Sequence, residues 1–255
     1  MKESEILLEN LIIHYYFSGP PEKNTPLIIL LHGWGAESSL WRNFMEKLSL
    51  NGFTSYALDF PGFGKSSLPP KDFSLKDFAA IVKSFSTRLG LSEIILIGHS
   101  FGGRVAIKFA SQNPTLIKKL VLIDSAGVRT NSSLKRASSF FAKSAKIFFL
   151  LPFLKPLKIF LYRLIGAEDY LSNPALKDIF SRVVEEDLRD LMTAIKQPAL
   201  IIWGEKDEVT PLSFAKIMEE RIQNSRLEVL TGAGHYSFLD KPEEFTKTAI
   251  NFLKS

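Results

Sequence analysis

The chain has 255 residues, 45% of them hydrophobic and 23% charged, with 13 prolines and 15 glycines spread along its length, a balance that excludes disordered and collagen-like classes. With no cysteine, disulfides, thiol nucleophiles and cysteine-ligated metals are also excluded. The net charge of +5 is local: Ser125 to Ala167 holds eight Lys or Arg and no acid, so the remainder carries −3, and with no nucleic-acid module beside that excess a basic insertion is expected rather than a polyanion-binding protein.

Met1 to Phe17 carries Glu3, Glu5 and Glu9 and has no basic start followed by an apolar run, so it does not read as a signal peptide and a cytoplasmic location is the expectation. Ile6–Leu8 and Leu11–Phe17 flank a Glu9-Asn10 turn signal, which predicts an antiparallel hairpin at a sheet edge. Short apolar runs then follow at 27–31 (LIILL), 54–58 (TSYAL), 94–97 (IILI), 119–123 (KLVLI) and 199–203 (ALIIW). Runs of this length with polar or glycine boundaries predict strands buried on both faces. Helical spacing at 40–50, 75–89, 101–110 and 214–222 alternates with them, which predicts a parallel sheet covered on both sides. Arg226–Leu230 supplies a last strand and Glu243–Leu253 a closing helix.

The alternation breaks between Gly127 and Gln197. Phe140 to Ile165 is densely apolar, studded with lysines and interrupted by Pro152 and Pro156, which predicts a helical insertion and no membrane span. A lid packed on the sheet domain is expected, with peripheral contact of its basic, apolar side with a membrane surface as the alternative.

Gly98-His99-Ser100-Phe101-Gly102 has the pattern G-x-S-x-G and lies directly between a predicted strand and a predicted helix. That context is the one a nucleophile elbow requires, so Ser100 is the candidate nucleophile. A serine hydroxyl needs a base within hydrogen-bonding reach. His14 lies in the edge hairpin, His99 adjoins the nucleophile and points away, and His32 opens a separate loop; His235, in the loop after the last strand, is the candidate base. The carboxylate that orients it is assigned to Asp207, after the strand at 199–203, with Asp124 at the end of the strand at 119–123 as the alternative; Glu205 and Glu208 are expected in solvent. The oxyanion donors are expected to be the backbone N–H groups of Phe101 and of Trp34 in His32-Gly33-Trp34-Gly35.

Gly62-Phe63-Gly64-Lys65-Ser66 imitates the end of a P-loop, but Asp59 stands where the first glycine belongs and Pro69-Pro70 follow where a helix is needed. No histidine pair has metal-ligand spacing, and neither a metal nor a cofactor is expected.

Taken together, HGWG at 32–35, DFPGFGKS at 59–66, GHSFGG at 98–103, GEKDEVTP at 204–211 and GAGH at 232–235 resemble the α/β-hydrolase fold, and within it the lid-bearing esterase, C–C-bond hydrolase and epoxide hydrolase-like group. The resemblance implies a mostly parallel eight-stranded sheet with helices on both faces. It implies a core of residues 1–127 and 197–255 and a helical cap, 128–196, inserted after the sixth strand. It assigns Ser100, Asp207 and His235 to a triad and Trp34 and Phe101 to the oxyanion hole. Epoxide hydrolases and haloalkane dehalogenases of this group use an aspartate at the position of Ser100, so the serine favours acyl transfer. The expected activity is hydrolysis of small to medium apolar carboxylic esters, with C–C-bond hydrolysis or a non-catalytic small-molecule receptor as alternatives.

Overall fold

The computed structural model of the chain describes residues 1–19, 27–129 and 174–255. Among these residues, eight strands form one sheet: β1 (Lys2–Leu8), β2 (Leu11–Ser18), β3 (Leu27–Leu31), β4 (Ser55–Leu58), β5 (Ile94–His99), β6 (Ile117–Ile123), β7 (Ala199–Gly204) and β8 (Ser225–Leu230). Their order is β1-β2-β4-β3-β5-β6-β7-β8, with β2 antiparallel to β1 and β4 and all later neighbours parallel. Glu9 and Asn10 both adopt positive φ, 48° and 63°, the backbone that a two-residue hairpin of matching twist demands. The hairpin strand β1 begins at Lys2, four residues before the expected start. Lys2 to Glu5 are exposed, and an edge strand without apolar alternation leaves no hydrophobic signal to read.

Successive side chains of the parallel strands point to opposite layers. Ile29, Leu31, Leu96, Leu120, Leu122 and Ile201 face one hydrophobic layer, built with helices α2 (Leu75–Arg88), α3 (Phe101–Gln112), α4 (Pro174–Glu185), α5 (Arg189–Met192) and α6 (Leu212–Arg221). Ile28, Leu30, Ile95, Ile97, Val121 and Ile202 face the other, closed by α1 (Arg42–Leu50), a short α7 (Ser237–Asp240) and α8 (Pro242–Lys254). All twelve of these strand side chains are essentially inaccessible. Burial of this kind stabilises by roughly 2 kcal/mol per aliphatic side chain, the usual range being 1.5–3.

Local chemistry sets the helix starts. Ser74 and Asp77 form a capping box at α2, with the Ser74 N–H donating to Asp77 Oδ2 at 2.8 Å. Pro242 opens α8 at a position where a missing N–H costs nothing. The helix expected at 40–50 begins as a turn of 3₁₀ helix at Ser38–Trp41 before α1. Lys119, on β6, donates through Nζ to the carbonyls of Phe252 and Leu253 at 2.7 and 3.1 Å, satisfying acceptors that the end of α8 leaves open.

The insertion expected at 128–196 is described only at its ends. Its apolar, basic stretch at 140–165 lies outside the described residues, as does the question of membrane contact. In α4, Leu176, Ile179 and Val183 are buried against the core, and Phe180 meets Trp34 with ring centroids 5.1 Å apart. No helix among the described residues is long and apolar enough to cross a membrane.

Candidate active site

The strand order reverses between β3 and β5, since the chain runs from β3 outward to β4 and then returns to place β5 on the other side. Open α/β sheets offer a crevice at such a point, beyond the carboxyl ends of the strands. Ser100 stands there, between β5 and α3, with φ +52°. A non-glycine residue holds this region only when its surroundings over-determine it, at a cost of order 1–3 kcal/mol. The surroundings are backbone: the Ser100 N–H donates to the Ile123 carbonyl at 3.0 Å, and the Ser100 carbonyl accepts from Ala126 at 3.0 Å. A Cβ at Gly98 would press into the backbone of Gly102 and Gly103, and one at Gly102 would press into the carbonyls of Leu31 and His32. The glycines flanking the serine therefore permit the approach of strand and helix that forces its hydroxyl outward.

His235 hangs from the loop after β8 and reaches back over the sheet edge. Its Nε2 lies 3.0 Å from Ser100 Oγ and its Nδ1 lies 2.9 Å from Asp207 Oδ2. An ionised Asp207 only accepts, so Nδ1 carries the proton and the Nε2 lone pair faces the serine hydroxyl. The Asp207 side chain is fully buried and saturated: Oδ1 accepts from the N–H groups of Val209 and Thr210 at 2.8 and 2.9 Å, and Oδ2 accepts from the Thr210 hydroxyl at 2.6 Å. Glu205 and Glu208 are exposed, as expected for loop carboxylates. Asp124, the alternative acid, is entirely buried but turned elsewhere, accepting from the Gly204 N–H at 2.7 Å and from Ser237. Burial pushes its carboxyl up to about 7.

The other three histidines have separate tasks. The His99 ring, with no exposed surface, donates through Nε2 to the His235 carbonyl at 2.8 Å. Burial, and to a lesser degree the nearby His235, hold its pKa well below the ordinary histidine value, so it is a neutral prop beneath the imidazole loop. His32 Nδ1 donates to the Gly33 carbonyl at 2.7 Å while Nε2 accepts from the Phe60 N–H at 2.9 Å, tying the HGWG loop to the loop after β4. His14 lies between Asp59 and Glu3, at 2.8 and 3.2 Å, in the hairpin.

Phe101 is the first residue of α3, where a helix offers an N–H without an intrahelical acceptor. Trp34 lies on the loop beside it: Ser100 Cβ lies 3.3 Å from where a Cβ on Gly33 would sit, and the rings of Trp34 and Phe101 meet edge to face at 5.0 Å. Phe63 and Phe180 also pack on Trp34, at 4.9 and 5.1 Å between centroids; Phe63 is buried, whereas Trp34 and Phe180 each keep some exposed surface. The loop 59–66 is a brace: Asp59 accepts from the N–H groups of Ser38 and Lys65, and Ser66 Oγ donates to the Asp59 carbonyl.

Sequence reasoning thus places Ser100, His235 and Asp207 in separate loops that the fold unites. It passes over His99 as a prop and Thr210 and Ser237 as anchors. Only the placement of Thr210 three residues beyond Asp207, and of Ser237 two beyond His235, was there to be read.

The family model for the alpha/beta hydrolase fold matches residues 26–149 and 180–242. The AB hydrolase superfamily protein YisY of Bacillus subtilis is 30% identical, over 89% of this chain and 91% of its own length. The 2-hydroxy-6-oxo-6-phenylhexa-2,4-dienoate hydrolase of Comamonas testosteroni is 28% identical, over 99% of this chain and 95% of its own. Among solved structures, an esterase from Exiguobacterium antarcticum superposes with a TM-score of 0.79 at 26% identity, covering 99% of both chains. With the family model spanning well over half of its residues and the sheet order and strained serine turn in place, this chain belongs to the α/β hydrolase fold family.

Proposed function

We propose that the protein is a serine hydrolase that cleaves carboxylic esters of small to medium apolar substrates through an acyl-enzyme. The observation that carries this reading is the 3.0 Å contact between His235 Nε2 and Ser100 Oγ, with Asp207 on the opposite ring nitrogen. His235 takes the Ser100 proton as the hydroxyl oxygen attacks the ester carbonyl, and Asp207 stabilises the imidazolium that forms. The N–H groups of Phe101 and Trp34 receive the charge on the carbonyl oxygen. The tetrahedral intermediate collapses as His235 returns the proton to the departing alkoxide, leaving an ester on Ser100. Water, activated by the same imidazole, adds to that ester and releases the acid. Nothing in these steps calls for a cofactor.

The partly exposed rings of Trp34 and Phe180, backed by the buried Phe63 and Phe101, support an apolar acyl or alcohol portion. In this reading residues 128–196 form the cap and the substrate lies between it and the sheet edge. The Comamonas relative supports a second reading, C–C-bond hydrolysis with the same serine. A panel of p-nitrophenyl acetate to palmitate, with Ser100→Ala as control, separates the two. Cleavage peaking at short or medium chains and abolished in the variant is expected. No cleavage above the variant would overturn the esterase reading in favour of C–C hydrolysis or of a ligand receptor. A fluorophosphonate probe followed by peptide mapping is expected to label Ser100, and a label at another residue would overturn the assignment of the nucleophile.

A further inference from the structure

Asp124, the buried carboxyl that the proposed reaction leaves unused, bonds to the root of the Asp207 loop and to the segment beyond His235, while its chain neighbours hold Ser100. The residue follows β6 and holds φ +44°, a left-handed conformation that Asp and Asn tolerate better than most residues. Its neighbours in sequence bracket the nucleophile, since Ile123 accepts from the Ser100 N–H and Ala126 donates to the Ser100 carbonyl, both at 3.0 Å. Its Oδ1 accepts from Gly204, the last residue of β7 and the root of the Asp207 loop, at 2.7 Å. Its Oδ2 accepts from the N–H and the hydroxyl of Ser237, two residues beyond His235, at 3.0 and 2.5 Å. Its own carbonyl lies 3.0 Å from the hydroxyl oxygen of Thr210, whose proton goes to Asp207 Oδ2 at 2.6 Å.

We propose that Asp124 is a positioning residue for ester cleavage: its buried carboxylate clasps Gly204 and Ser237 and thereby sets where the Asp207 loop and the His235 loop meet above Ser100. The proposal rests on the serine hydrolase reading. Residue chemistry explains why a carboxylate stands here. Three donors converge on two oxygens, and an acceptor-only group satisfies them all, whereas an asparagine amide would set its NH₂ against the Gly204 N–H or the Ser237 N–H. A carboxyl with no exposed surface is costly unless so bonded. Burial drives its pKa up while the bonds from Ser237 and Gly204 oppose that rise; His235 also favours its charged form and Asp207 disfavours it. The same bonds leave Asp124 engaged away from His235 Nδ1, which Asp207 holds. Reacting groups displaced by about 1 Å lose on the order of 10²-fold in rate, so the clasp acts on catalysis through distance alone.

The test measures p-nitrophenyl butyrate hydrolysis and fluorophosphonate labelling rate at pH 8, where the carboxyl is ionised, for wild type, Ser100→Ala, Ser237→Ala, Asp124→Asn and the double variant Asp124→Asn/Ser237→Ala. Ser237→Ala is expected to lower kcat by about tenfold and Asp124→Asn by about 100-fold, with KM within about twofold of wild type and labelling slowed in step. The double variant is expected to lose no more than Asp124→Asn, because both changes open one clasp. Should Asp124→Asn fail to fold, Ser237→Ala carries the same comparison. Melting temperatures that fall while kcat stays within twofold of wild type in the single variants would overturn the proposal and leave Asp124 a stabilising residue only. Full activity in Ser100→Ala would instead overturn the serine hydrolase reading itself.

Discussion

Replacing Asp207 by Asn changes one heavy atom, and the hydrogen bonds around it determine what that change does. The N–H groups of Val209 and Thr210 hold Oδ1, so the amide oxygen takes that place and the NH₂ falls where Oδ2 was, 2.9 Å from His235 Nδ1. An N–H now points at Nδ1, which must accept. A neutral imidazole has a single proton, so that proton moves to Nε2 and faces Ser100 Oγ at 3.0 Å. The serine hydroxyl then has no acceptor for its proton. In serine hydrolases of this arrangement the wrong tautomer lowers kcat by about 10⁴, which corresponds to about 5 kcal/mol in the barrier at about 1.4 kcal/mol per tenfold. Stability changes little, because the Thr210 hydroxyl can turn to the Asp124 carbonyl at 3.0 Å and accept from the new amide. The assay is p-nitrophenyl butyrate turnover, with Ser100→Ala as the floor and urea denaturation as the check on folding. A loss of less than tenfold with Ser100 still labelled by fluorophosphonate would refute the argument, since the tautomer would then be set by some other group.

Three further outcomes follow from strain, packing and charge. Ser100→Gly relieves the φ of +52° and is expected to raise stability by about 1 kcal/mol in urea titration, the released strain exceeding the added chain entropy, while turnover falls to the Ser100→Ala level; an unchanged or lower stability contradicts the strain. Gly102→Ala drives a methyl into the carbonyls of Leu31 and His32 and is expected to cost about 1–3 kcal/mol of stability, together with activity lost through displacement of the Phe101 N–H; wild-type values for both contradict the close packing. The Asp124 carboxyl, raised from 3.8 to about 7 mainly by burial, binds its proton more tightly in the folded chain than in the unfolded one. Its contribution to stability is therefore complete below about pH 4 and is lost as pH rises through about 7, so between pH 5 and pH 8 wild type is expected to lose about 3 kcal/mol relative to Asp124→Asn. A difference between the two proteins that does not change over that interval contradicts the raised pKa.

The sheet was legible in the chain because its physics is local. Runs such as LIILL and IILI, buried on both faces, state their strand character in five residues or fewer, and the Glu9-Asn10 turn signals its own geometry. Where locality fails, so does the reading: polar β1 starts earlier than any hydrophobic signal shows, and the short α7 after His235 has too few residues for a period. Ser100 was legible for the same local reason, since a G-x-S-x-G turn between strand and helix carries its strain within five residues.

The partners of that serine are a different matter. His235 lies 135 residues from Ser100 and 28 from Asp207, and motif order nominates them without stating any distance. The choice between Asp207 and Asp124 illustrates the limit, because both follow parallel strands that end at the same edge of the sheet. Only the tertiary structure shows which of the two meets the imidazole: the Asp124 oxygens are taken by Gly204 and Ser237, while Asp207 Oδ2 lies 2.9 Å from His235 Nδ1. Backbone preference belongs to a residue and its neighbours and can be read from them; the hydrogen-bond partner of a buried carboxylate depends on which donors the whole fold brings within 3 Å.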